Sequence, residues 1–396
     1  MFYLTIYLIL LSLSFLELLS IDRLHKHMLL IFAFFIMWLV AGLRYETGGD
    51  WPTYTLFFEN VETISNVLKN EAPIYNESYM EPAYKLLNSA IKEANGNIQI
   101  VFLIVALINA CLLFKCLKSY TNYPLMGVFI YFSSIYMVID MIAIRQAVAV
   151  MCFFVAIKFV YTRKFVPYLI VLLVAFLFHR SVILLFPLYF FINREASASI
   201  YWTTFLLSLA IFFLNIQWMN GLLTFVANLI GGTNGAIIKM YQSSSTYGVS
   251  RVFSVGAIIN IILFIIFMAK RREFLKFKYF TVFFNLFMLN FVVFFVFYEL
   301  IEVSNRYRYY FLISNLILLP YFIDIYSNWG MKFSVFIMIC CFCFLYGRPV
   351  YLESPSSIAF NPYQNYLIHL MFDTKSDGFE RMRKGDEEYI QNRKRE

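Results

Sequence analysis

The chain has 396 residues, of which 61% are hydrophobic, 20% aromatic and only 14% charged; a soluble domain carries about 25% charged residues, and apolar stretches this frequent cannot all pack into one water-soluble core. The net charge of +8 is scattered between apolar runs, which fits membrane orientation and argues against a nucleic-acid-binding surface. All six cysteines lie in or beside apolar runs; those at 340–343 have no histidine in reach, so the six read as packing residues and neither a metal nor a cofactor is expected.

The first run, FYLTIYLILLSLSFLELLS, has no basic leader and no small-residue cleavage site, and is expected to be a retained span. The second ends in RYETGGDWPTY, residues 44–54, which opens a polar segment, 44–97. Within that segment YKLLNSAIKEA has the apolar spacing of an amphipathic helix. The apolar runs are continuous rather than alternating, so helices and not a barrel should cross the membrane. The fold class is therefore all-α and polytopic, with about twelve transmembrane helices centred near residues 11, 35, 106, 131, 153, 171, 186, 208, 261, 289, 316 and 338.

The short connections carrying Arg23 and Lys26, Lys115 and Lys118, Lys158 with Arg163 and Lys164, Arg194, and the group KRREFLKFK are basic, which assigns them to the cytoplasm. Segments 44–97 and 217–252, the latter rich in Gly, Ser and Asn, are then long extracytoplasmic loops able to fold over a cleft. Both termini fall on the same outer side. The spans read as one transmembrane domain, 1–352, followed by an extracytoplasmic segment and basic tail, 353–396. The basic residues of that tail, Lys375, Arg381, Arg383, Lys384, Arg393, Lys394 and Arg395, start too far from the last span to set its orientation. No internal repeat is visible.

A charged group near hydrocarbon costs at least about 2.5–3.5 kcal/mol on insertion scales, so each one kept there calls for a reason. Five places stand out: Arg44 with Asp50, Arg145, His179 with Arg180, Arg306 with Arg308, and Arg348. All five fall on the outer side, against the positive-inside bias, and an anion at headgroup depth would explain them, because guanidinium groups hold phosphate through paired planar hydrogen bonds. Taken singly, each has a plainer reading. Arg180 or Arg348 could snorkel to headgroups, His179 could bond a neighbouring helix, Asp50 could cap a helix or pair with Arg44, and Gly48 and Gly49 could form only a turn.

The strings RYETGGDWPTY, MEPAYKLLN at 80–88, AIRQAVAV at 143–150, FHRSVILLFPLYF at 178–190 and NRYRYYF at 305–311, with NPYQNYL at 361–367 as a last element, resemble together the EpsG-like, Wzy-type polysaccharide (O-antigen) polymerases. The resemblance implies a GT-C-type glycosyltransferase of the bacterial inner membrane, acting at the outer face on oligosaccharide repeat units carried by undecaprenyl pyrophosphate, with a chain-length regulator protein as a further partner. It implies that the growing glycan leaves its lipid pyrophosphate for the non-reducing end of the next lipid-linked unit. The matching positions are Arg44, Gly49, Asp50 and Tyr54; Glu81; Arg145 and Gln146; His179; and Arg306 with Tyr310. The doublet Arg306/Arg308 departs from a single arginine and leaves open which one acts.

On this reading Arg145 and Arg306 cradle the diphosphate without a metal, His179 is the first choice of base and Asp50 the second or the group that orients the acceptor. Arg180, Arg308 and Arg348 extend the anion site, and Trp51 with the tyrosines could stack on sugars. The arginines, the imidazole and the Gly-Gly-Asp bend are expected to meet in one extracytoplasmic hollow. A lipid-linked oligosaccharide flippase, an O-antigen ligase and a non-enzymatic scaffold are the alternatives; a flippase should place its cations in a central cavity rather than at one end.

Overall fold

In the computed structural model residues 1–19, 22–69, 80–243, 250–351 and 357–393 are described; parts of both expected loops (70–79 and 244–249), the domain boundary at 352–353, and Lys394 and Arg395 of the tail lie outside them. In chain order the helices are α1 (Phe2–Leu18), α2 (Arg23–Gly42), α3 (Trp51–Asn60), α4 (Ile64–Leu68), α5 (Pro82–Glu93), α6 (Ile98–Tyr120), α7 (Pro124–Tyr131), α8 (Met137–Ile139), α9 (Ile144–Tyr161), α10 (Phe165–Phe178), α11 (Ala198–Phe213), α12 (Trp218–Ile230), α13 (Gly232–Ser243), α14 (Val255–Ala269), α15 (Arg271–Phe274), α16 (Phe280–Val296), α17 (Ile301–Leu312), α18 (Asn315–Asp324), α19 (Trp329–Tyr351), α20 (Tyr366–Phe372) and α21 (Gly378–Arg393). A π-helical turn, Phe132–Tyr136, joins α7 to α8, and a 3-10 helix, Arg180–Phe190, follows α10.

The protein is an all-α membrane protein, and every expected span centre falls inside a helix. By length and apolar character α2, α6, α9 and Trp329–Pro349 can each cross a bilayer, and α11 with α12, bent by 75°, would make a fifth crossing. Six further apolar helices run only 10–17 residues, short of the ~20 needed for ~30 Å of hydrocarbon. One of these shortenings has a visible cause: His179 adopts an extended backbone (φ −157°, ψ 121°) that stops α10.

The chain divides into two compact units, 1–189 with 319–396, and 190–318. In the first, α1, α2, α6, α7, α9, α10 and α19 pack around a core rich in Phe, Leu, Ile and Val, with α2 against α6, α6 against α9 and α9 against α10. The helices sort the charges to two ends. One end holds Arg23 and Lys26 at the start of α2 and Lys118 at the end of α6. Arg44, just past α2, and Arg145, in the first turn of α9, sit at the other. The polar segment after α2 is folded: α3, α4 and α5 cover this second end, and α5 buries Tyr84, Asn88 and Ile91 as its spacing predicts. Lys92 caps the carbonyl end of α3 by donating to Glu59 O (2.8 Å) and Val61 O (2.7 Å).

The tail returns to the same end. Tyr45 N donates to Gln364 O (2.9 Å), Tyr366 N to Leu43 O (2.8 Å) and Gly48 N to Ala359 O (3.0 Å). Arg381 donates to Glu46 O (3.1 Å), and Phe379 packs edge-on against Trp51.

The second unit centres on α16, against which α11, α14 and α17 pack. Here too the expected loop is helical: α12 and α13 lie side by side after a turn at Gly231 and Gly232, both with positive φ. The two carboxylate oxygens of Glu299 accept from the first free amides of α12, Met219 N (2.7 Å) and Asn220 N (2.9 Å), and so fix where α12 starts.

Candidate active site

The loop of residues 44–50 is pinned on both sides. Arg44 is buried, and its Nη1 donates to Ala41 O (2.9 Å) and Asp140 O (3.1 Å), while its guanidinium lies over the Phe102 ring at 4.3 Å. It therefore ends α2 and ties that end to the turn before α9. Burial pulls its pKa down, partly offset by the neighbouring tyrosines and Asp140. Gly48 sits at φ +99°, and a Cβ there would come within 2.4 Å of Met141 O. Gly49 has ordinary backbone geometry and only van der Waals contact with Ile142. Of the Gly-Gly pair the first residue is the one the turn requires.

Asp140 carries no role in the sequence reading, yet it anchors this end. It is fully enclosed at the end of the π-turn run; Tyr131 OH donates to Oδ2, and Asn109 Nδ2 to Oδ1 at 2.9 Å. Burial raises its pKa to about 6 against these donors and Arg44. A lone acid between two apolar runs is a signal that insertion cost alone could have raised. The π-turn supplies the extra residue that sets the phase of this end, a common use of such turns.

Arg145, in the first turn of α9, forms an ion pair with Glu81. The side chains are 18% and 6% exposed, which makes this pair far more shielded than a surface salt bridge. The guanidinium also lies 5.7 Å from the Tyr54 ring and 6.0 Å from Tyr84, and burial raises the Tyr54 phenol to about 12. The other Glu81 oxygen accepts from Arg180 N (3.4 Å). His179 Nδ1 lies 2.7 Å from Ser181 Oγ and accepts from Ser181 N (3.3 Å). Glu81 therefore joins three of the sequence strings, 80–88, 143–150 and 178–190, and Tyr54 adds the first. Gln146 is buried beside Arg145, Asp50 is exposed at the start of α3, and Arg180 and Arg348 are exposed.

Arg306, Arg308 and Tyr310 belong to the second unit. Arg306 is exposed and Tyr310 buried, whereas Arg308 enters a polar cluster: Nε donates to Asn290 Oδ1 (3.2 Å) and Nη1 to Asn305 Oδ1 (3.1 Å). Arg251, which the sequence reading passed over, donates through Nη2 to the same Asn305 oxygen (2.7 Å) and to Ser304 Oγ (2.9 Å). Both guanidinium groups lie over the Phe294 ring, at 4.3 and 4.5 Å. Asn290 is held in turn by Asn260 (3.0 Å). The two guanidinium groups thus share one amide oxygen and one aromatic ring.

No curated protein and no solved structure matches the chain. A family model described as the EpsG family matches residues 27–365. That stretch takes in the motifs from RYETGGDWPTY to the start of NPYQNYL, and the chain belongs to the EpsG family.

Proposed function

We propose that the protein is a polysaccharide polymerase that moves a growing glycan from undecaprenyl pyrophosphate to the non-reducing end of the next lipid-linked repeat unit, at the outer face of the bacterial inner membrane. Membership in the EpsG family supports a polysaccharide-polymerase role in general. What carries the finer reading is the meeting of four sequence strings on Glu81 and Arg145, at the end of the first unit opposite its basic connections. The proposal includes a GT-C-like arrangement of about twelve spans, with that end outward by the positive-inside rule.

The acceptor hydroxyl oxygen attacks the anomeric carbon, the bond from that carbon to the diphosphate oxygen breaks, and the lipid diphosphate leaves with the bonding pair. Arg145 is the donor for that charge. Within the second unit, Arg308, buried with its guanidinium on Asn290 and Asn305, is the proposed anion-binding arginine of the 306/308 doublet. His179, oriented at Nδ1 by Ser181, is proposed to meet the substrate with its other ring nitrogen. Asp50, an exposed carboxylate, takes the acceptor's proton.

The test is reconstitution: purified protein with a lipid-linked repeat unit and no added metal should give a ladder of glycans on a gel. Turnover that stops at one repeat moved to a different lipid would instead identify a ligase, and transbilayer movement without any new glycosidic bond a flippase.

A further inference from the structure

At the basic end of the first unit, far from Glu81 and Arg145, a cleft of about 680 Å³ opens between the start of α2 and the end of α6. Its lining is Arg23, Leu24, Lys26, His27 and Leu30 from α2, Lys118 from α6, Thr121 and Asn122 from the connection after it, and Pro124 from α7. Three of these residues are cations and none is an acid. The catalytic reading uses none of them.

The cleft has a braced floor and a free rim. Lys26 pairs with the buried Glu17 (3.0 Å) and donates to Asn122 O, so its charge is already answered and it stitches α1, α2 and the 121–123 connection together. Leu30, Thr121 and Pro124 are buried beneath. Arg23, His27 and Lys118 stand exposed on the rim. Phe114 organises two of them: the Lys118 ammonium lies 5.0 Å over its ring, and the His27 ring packs against it at 6.2 Å. Arg23 and Lys118, from two different helices, thus leave two positive charges facing the cleft.

The polar half of the cleft fits a phosphate, and its other features fit a lipid. From the rim an exposed apolar stripe, Leu24, Met28, Ile31, Phe32, Phe35 and Leu39, runs along α2, a helix that is long and apolar enough to cross the bilayer. A headgroup phosphate in the cleft would leave its acyl chains on that stripe. A free phosphate or a nucleotide would gain nothing from it.

We infer that this cleft is a binding site for the headgroup of an anionic phospholipid, with Arg23 and Lys118 holding the phosphate and α2 taking the acyl chains. Basic pockets between spans on the cytoplasmic side recognise such headgroups in this way. The leaflet named rests on the orientation proposed above; the binding does not, and its readout is independent of polymer formation.

The experiment is native mass spectrometry and thermal unfolding of the whole detergent-purified protein, with phosphatidylglycerol, phosphatidylcholine or glycerol phosphate added. Phosphatidylglycerol should be retained and raise the melting temperature, and phosphatidylcholine should not. Arg23→Gln/Lys118→Gln should weaken phosphatidylglycerol by about thirty-fold, since each surface cation contributes a factor of about five. The double variant should melt with the wild type when no lipid is added, because both side chains are exposed. Arg23→Lys should bind within about threefold of the wild type. Equal retention of phosphatidylglycerol by the wild type and the double variant would overturn the inference, as would equal retention of phosphatidylcholine. Glycerol phosphate competing at the same concentration as the lipid would assign the cleft to a soluble anion and sink the lipid reading too.

Discussion

Replacing Arg145 is the sharpest test of the site, because its guanidinium has two jobs that can be separated. It pairs with Glu81 in surroundings where the side chains are 18% and 6% exposed, and it is the proposed donor to the departing diphosphate. Removing one member of a shielded pair strands the other charge at a cost of about 3–5 kcal/mol. Arg180 N remains as a donor to Glu81 at 3.4 Å, so the lower figure, about 3 kcal/mol, is expected for Arg145→Gln, a drop of several degrees in melting temperature. Glu81→Gln alone should cost a similar amount. In Glu81→Gln/Arg145→Gln no charge is stranded, and at least half of the lost stability should return. Polymer should not return, since a neutral amide cannot replace a cation beside the leaving diphosphate. Thermal unfolding in detergent reads the first quantity and gel ladders from membranes with matched protein levels read the second. Full-length polymer from the double variant would show that Arg145 only answers Glu81 and would remove it from the mechanism.

The folded-state pKa of Asp140, about 6, stands above its ordinary 3.8, so the folded protein holds this proton more tightly and its contribution to stability falls as pH rises between those values, by about 3 kcal/mol at most. Asp140→Asn should therefore gain melting temperature relative to the wild type from pH 4 to pH 7; a constant gap would show that Asp140 does not titrate there. Arg308→Ala should reduce polymer below detection while Arg306→Ala keeps more than half, because Arg308 is buried with its guanidinium on Asn290 and Asn305 whereas Arg306 is exposed; equal losses in the ladder assay would refute that ranking. Gly48→Ala should destabilise by at least about 1–3 kcal/mol, given its positive φ and the 2.4 Å approach to Met141 O, and Gly49→Ala by less than about 1 kcal/mol; the reverse order in unfolding experiments would mean that the turn is assigned to the wrong glycine.

Helix positions were legible because apolar runs announce themselves, and α5 was legible from period alone: Tyr84, Asn88 and Ile91 fall on one face. Glu81 and Arg145 were named, yet their pairing, across 64 residues, was not, since nothing local in either string reports its partner. The same is true of Asn365, which forms an antiparallel bridge with Arg44. Asp140 draws less notice than the outward arginines, because an acid one turn beyond a π-turn looks like ordinary loop. Arg251 was missed because it lies near the end of 217–252, a segment read as a loop folding over a cleft; the cluster of Asn260, Asn290 and Asn305 around it and Arg308 is what marks it.

The arginines of this protein differ in what they already hold, and that difference sets what each can do for a diphosphate. Arg44 spends Nη1 on two carbonyl oxygens and its face on Phe102; buried as it is, it positions the turn that leads to Arg145 rather than meeting a substrate. Arg145 already holds a carboxylate, so a phosphate oxygen must compete with Glu81 for it, one charge-assisted bond against another. Arg145 is thus held back by Glu81 until charge develops on the leaving oxygen. Electrostatic catalysis requires that kind of donor, one whose interaction strengthens as the bond breaks rather than when the substrate first binds.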